Sequence, residues 1–140
     1  MSAMPTGKIG ELELSRMMLG GNMLSHYNNC RDQSYVFRLL EHYNTPEKLT
    51  ETFEITEEHG ITGMNVHQVD SVHQLLKQHR DRGGKMKWIL CVTADTAGDG
   101  MPAYREEIME QAELGADAFY VWGCHSDGLV ANGQVDVIGK

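Results

Sequence analysis

The chain has 140 residues, with 20 acidic side chains against 12 basic ones, a formal net charge of −8, 41% hydrophobic residues and 7% aromatic ones. That balance describes one soluble globular domain, 1–140, with a single core, and excludes a collagen-like repeat, a disordered tail or two independent domains. An acidic chain without a Lys/Arg stripe repels nucleic-acid phosphates, and no run approaches the roughly 18 apolar residues of a membrane span. The N-terminus MSAMPTGKIGE also lacks the basic and apolar segments of a secretion signal, so a cytoplasmic protein with neither nucleic acid nor membrane as partner is expected.

Segment 7–14, GKIGELEL, alternates polar and apolar residues around Gly10, which predicts a β-hairpin or extended lead-in over 1–15. RMMLGGN follows as a short buried strand closed by glycines. Tyr35, Val36, Leu39 and Leu40 have helical spacing and place a short helix within a long loop. Thr45, Pro46 and Glu47 are a helix start, with Thr45 as N-cap and Pro46 in the first helical position. This helix presents Leu49, Phe53 and Ile55 or Thr56, and stops at Gly60. ITGMNVH is the next strand.

The same cycle recurs twice. Ser71 is read as the cap of a helix carrying Val72, Leu75 and Leu76 that ends at Gly83-Gly84, after which 87–93 is the clearest strand in the chain. Pro102 opens a third helix with Ile108, Met109, Ala112 and Leu114 on one face and Gly115 at its end, and AFYVWG is the fourth strand. Apolar strands separated by amphipathic helices define right-handed βαβ units and a parallel sheet in the order 1-2-3-4. A doubly wound sheet and part of a (βα)8 barrel both fit. The hairpin ahead of the first strand, and the lack of GxGxxG after it, favour an α/β fold that is a (βα)4 half of a TIM barrel.

Strand alternation divides the side chains into two faces. Met17, Leu19, Met64, Val66, Trp88, Leu90, Val92, Phe119 and Val121 form the helix-covered set. Met18, Gly20, Asn22, Gly63, Asn65, His67, Ile89, Cys91, Thr93, Tyr120 and Trp122 form the inner set, which turns polar toward the C-terminal strand ends where βα folds place their sites. There Asn22, His26, Thr93, Asp95 and Trp122 are the candidate ligand-binding residues. His67, His125 and Asp127 are the candidate acid–base residues, with Asp127, Asp95 or Asp70 available to tune an imidazole. His26, Asp95, His125 and Asp127 are read as loop residues. His26, His67 and His125 would make three facial metal ligands, but no HxH or HExxH spacing supports them and no metal is expected.

Cys30, Cys91 and Cys124 are an odd number without CxxC spacing, and so indicate neither a disulfide framework nor a zinc knuckle. Cys91 and Cys124 fit small buried hydrophobes better than nucleophiles. Gly20-Gly21 and Gly98-Asp99-Gly100 fit tight turns better than a phosphate cradle. No cofactor is identified.

The stretch ELELSRMMLGGN resembles the opening of aldo/keto reductases, and DAFYVWGCH resembles their fourth strand, which ends in a catalytic histidine. The resemblance implies that role for His125 alone, because MNVHQVD and CVTADT stand where that family has an Asp–Tyr pair and a Lys. With its GGN, HYN, EEHG and WG-H-D signatures, nearly the whole chain resembles the first half of a bacterial TIM-barrel family without an established activity. That resemblance implies that GQVDVIGK begins the fourth helix. The expected function is a small polar or carbonyl ligand site at the strand rim. The alternative is a non-catalytic, self-associating structural module or a truncated fragment of a longer TIM-barrel enzyme. Open edge strands and an exposed inner face with Met18, Ile89, Cys91, Tyr120 and Trp122 predict a homodimer or higher even oligomer.

Overall fold

The alternation on either side of Gly10 folds as an antiparallel hairpin, β1 (Thr6–Ile9) with β2 (Leu12–Ser15), pairing Thr6 with Ser15 and Ile9 with Leu12. The computed structural model describes residues 3–27, 32–96 and 101–138, so Cys30 and Gly98-Asp99-Gly100 lie outside the described residues. After the hairpin come β3 (Leu19–Gly20), α1 (Ser34–Tyr43), α2 (Pro46–Glu58), β4 (Gly63–His67), α3 (Asp70–Asp81) and β5 (Lys87–Val92). The chain continues through α4 (Pro102–Glu113), β6 (Ala118–Val121), α5 (Gly123–Ala131) and a 3₁₀ turn, Val135–Val137. Four strands form one parallel sheet in the order β3-β4-β5-β6, the alternation of strands and helices expected of βα units. The residues fall into two compact units, Met1–Ile89 and Leu90–Lys140, divided within β5.

In the first unit, Thr45 caps α2 by accepting a hydrogen bond from the Lys48 N–H, with Pro46 directly after it. α2 buries Leu49, Phe53 and Thr56, whereas Ile55 is exposed, because 49, 53 and 56 share one helical stripe. α2, α3 and α4 are each followed by a left-handed glycine, Gly60, Gly83 and Gly115, at φ +79°, +98° and +99°. Met64, Val66, Phe53, Val72, Leu76, Met86 and Trp88 are buried and make the core. The hairpin is tied to the residue before β4 by a reciprocal pair: Thr62 N–H donates to Ser15 Oγ at 2.9 Å and Ser15 N–H to Thr62 Oγ1 at 3.2 Å. Where α2 and α3 end, the Glu57 carboxylate accepts from the Lys85 N–H at 2.6 Å. It also lies 3.0 Å from Nε2 of buried His79, a hydrogen-bond distance without hydrogen-bond geometry.

Several expectations are corrected. The first strand is only Leu19–Gly20, and Met17 is exposed. α1 buries Leu40 but exposes Tyr35 and Leu39. Ser71 is not a cap: Val69 precedes α3 without a side-chain cap bond and Ser71 sits in the first turn. In the second unit α4 turns Met109, Ala112 and Leu114 to the surface, while Gln111 is buried and Tyr104, Glu107 and Ile108 are half-buried. Those four are spaced i, i+3, i+4 and i+7, the stripe a helix lays on a sheet. A polar residue replaces the expected apolar ones because its carboxylate has backbone partners, described below. Ile89 and Cys91, placed on an inner face open to water, are buried, which for Cys91 agrees with its reading as a small buried hydrophobe; Cys124, given that same reading, is exposed, as is Val121, expected to be covered. Finally, the helix expected at GQVDVIGK begins ten residues earlier, at Gly123 rather than Gly133, and only a 3₁₀ turn follows it.

Candidate functional site

In the first unit, the chain leaves β3 through Gly21, whose N–H donates to Asn65 O at 2.7 Å. A Cβ here would stand 2.4 Å from Val66 Cβ and 2.6 Å from Asn65 O, so only glycine permits this approach of loop to strand. The loop is then knotted locally. Ser25 Oγ donates to Gly21 O at 2.9 Å, and Asn44 Nδ2 donates to Met23 O at 2.6 Å. His26 takes a left-handed φ of 60°, a conformation non-glycine residues adopt at some cost. The next ring, Tyr27, lies on His67 with centroids 4.5 Å apart and planes at 25°.

His67 is the last residue of β4 and half-buried, and burial holds its pKa below the ordinary histidine value. At neutral pH this favours the neutral ring, which both donates and accepts a hydrogen bond. Asn22 and His26 are exposed in the same loop. A cleft of about 250 Å³ opens beside it, lined by Ser25, His26, Asn44 and Ser71 among apolar neighbours.

In the second unit, β5 ends at Val92 and the next two N–H groups are taken by one side chain. Glu107 of α4 accepts from Thr93 N–H at 3.2 and 3.1 Å through its two oxygens, and from Ala94 N–H at 2.6 Å through Oε2. Thr93 and Asp95 are exposed. Beyond β6, Trp122 N–H donates to Val92 O at 3.3 Å, and Trp122 is the residue on which α5 starts. His125 lies in the first turn of α5, its ring edge-on to Trp122 at 5.3 Å. His125 Nδ1 is enclosed and has no hydrogen-bond partner among the described residues.

His125 and Asp127 are therefore helical, not loop residues. Two positions apart on a helix they point about 200° away from one another, so Asp127 does not orient His125. Cys91 is a buried thiol. Burial pushes its thiol pKa up, more than the hydrogen bond with Tyr120 lowers it, and the charges of Glu107 and Cys124 raise it further. Tyr120 is likewise pushed well above the ordinary phenol, first by burial and then by Cys91.

Two partners of the site were not marked by the sequence reading. Tyr27 stands in a loop without periodicity, and Glu107 is an acidic residue among several on an exposed-looking helix. Among the described residues, no three His, Cys, Asp or Glu side chains are grouped to hold a metal ion, and no helix is long and apolar enough to cross a membrane. No family model, curated protein or solved structure matches the chain.

Proposed function

We propose that the chain binds a small polar or carbonyl compound at the C-terminal ends of its parallel strands, with an imidazole exchanging a proton with it, on a (βα)4 half of a TIM barrel. The strand order β3-β4-β5-β6 supports the half-barrel reading, since successive parallel neighbours joined by helices are how such barrels are built. One observation carries the ligand site: His125 keeps an enclosed Nδ1 with no hydrogen-bond partner among the described residues, at a strand end and beside an aromatic wall. Leaving such an atom unsatisfied costs about 1–3 kcal/mol. A ligand oxygen that meets Nδ1 once the ring turns toward solvent removes that cost.

In the first unit His67 against Tyr27 repeats the pairing of imidazole and aromatic ring at a strand end. Asn22, His26, Thr93, Asp95 and Trp122 are the polar and aromatic residues offered to a ligand in their respective units.

The test is a titration of the ¹⁵N-labelled chain with dihydroxyacetone, followed at the His125 ring and the Trp122 indole. Saturable shifts at both, lost in His125→Ala, are expected. Unmoved resonances, or undiminished binding by the variant, overturn the reading. A second reading, a non-catalytic module that associates with itself, is favoured by α5, which buries none of its residues, and by Val130, Val135 and Ile138, exposed by 57%, 58% and 50%.

A further inference from the structure

Two consecutive backbone N–H groups at the end of a strand are a ready cradle for an anion, and loops of this kind commonly take a phosphate or carboxylate oxygen. At the end of β5 that cradle is already occupied from within the chain. The Glu107 carboxylate receives both N–H groups, one of them at 2.6 Å, and is held half-buried by α4. A second anion would have to displace it or sit beside it against charge repulsion.

The loop segments that follow the strands supply no cation of their own. Segments 93–96 and 122–127, the described residues just past β5 and β6, contain no Lys or Arg, but they do contain Asp95 and Asp127. In the first unit, segments 21–27 and 68–70 contain no Lys or Arg either, and they include Asp70. Glu107 also raises the pKa values of Cys91 and Tyr104, where it adds to burial as a smaller cause.

We infer that Glu107 is a specificity-determining residue. By filling the anion position at the end of β5 it restricts the proposed site to an uncharged polar ligand, such as a hydroxy-carbonyl compound or a polyol, and excludes phosphate esters and carboxylates. This inference rests on the ligand site proposed above, but the Glu107 geometry is testable without any ligand for His125. Glu107 does not act on the reacting group; it sets what can approach.

The experiment is an amide NMR titration of the full chain with inorganic phosphate, comparing wild type with Glu107→Ala and Glu107→Gln. In wild type the Thr93 and Ala94 amides should stay in place as phosphate is added. In Glu107→Ala, which exposes those N–H groups and removes the charge, and in Glu107→Gln, which removes the charge and leaves only a neutral amide oxygen for phosphate to displace, they should shift saturably, with phosphate bound about tenfold or more tightly than by wild type. The two variants guard against one of them failing to fold. Phosphate shifting Thr93 and Ala94 equally in wild type and variants, or in none of them, overturns the inference.

A second arm compares dihydroxyacetone with its phosphate ester on wild type. Preference for the uncharged compound is expected, and equal or tighter binding of the ester overturns the inference. If neither compound moves His125 while the variants gain phosphate binding, the ligand-site reading fails and the role of Glu107 in excluding anions stands.

Discussion

Burial acts against charge at His67, and this fixes how the protein should respond to acid. Its folded-state pKa lies below the ordinary value of about 6.5, so as pH falls the unfolded chain takes up a proton before the folded one does. The stability that depends on a neutral ring is therefore present above the unfolded pKa and is lost as pH falls through the folded one. Urea midpoints measured at neutral pH and at mildly acidic pH should drop more for wild type than for His67→Asn, which keeps a polar group but cannot titrate. An equal drop in both proteins sinks this account.

His67 was legible in the sequence because strand alternation alone sets it on the last residue of an apolar run. The ring that covers it was not. Tyr27 reaches His67 only because Gly21 lets the loop lie on Asn65, a contact across more than forty residues that no local pattern encodes. Asp127 shows the converse error. Proximity in sequence suggested a partner for His125, and helical geometry turned it away.

Among the elements, α2 illustrates what local chemistry writes plainly. A capping hydroxyl, a proline and a terminal glycine bracket thirteen helical residues, Pro46–Glu58, and the structure keeps all three signals. Thr45→Ala removes the oxygen that receives the Lys48 N–H. The expected loss is about 1 kcal/mol, as for N-caps in general, seen as a lower urea midpoint with an unchanged slope. Thr45→Ser should restore most of it; a Thr45→Ala protein as stable as wild type would show that Pro46 alone sets the helix start.

α5 was illegible for the opposite reason. It buries no side chain, so GCHSDGLVA has no apolar stripe to read, and its glycines and Ser126 argue locally for a loop. It stops at Asn132-Gly133, where Gly133 adopts φ +71°, the residue at which a helix was instead expected to begin. α4 failed differently. Apolar residues were assigned to its packed face, yet Glu107 and Gln111 are turned inward. For Glu107, two backbone N–H groups satisfy a carboxylate that burial would otherwise penalise.

For the whole molecule, the parallel order was readable because the crossovers from β4 to β5 and from β5 to β6 each have the length of one helix, while that from β3 to β4 carries two, and only one handedness is favourable. What that order leaves open governs the last prediction. A sheet ordered β3-β4-β5-β6 has two edges, and they are not equally adhesive. β3 is two residues long, and so short an edge offers little to pair with. β6 has four residues, ends in Val121 at 44% exposure and leads to Trp122 at 36%, with α5 following without a fully buried residue. Exposed apolar side chains beside the outer edge of a strand favour association, and two-fold closure consumes the same surface on both copies.

We therefore expect a two-fold homodimer, or a higher even oligomer, assembled through β6 and α5. Across a two-fold axis the β6 strands of the two copies meet antiparallel. Sedimentation velocity at low micromolar concentration should give a dimer or larger. Val121→Lys and Val130→Glu, which place charges on exposed positions without touching the buried residues, should shift it to monomer while leaving the far-ultraviolet circular dichroism unchanged. A well-folded wild-type monomer at that concentration, or charge variants that associate as wild type does, would show that this edge is not the interface.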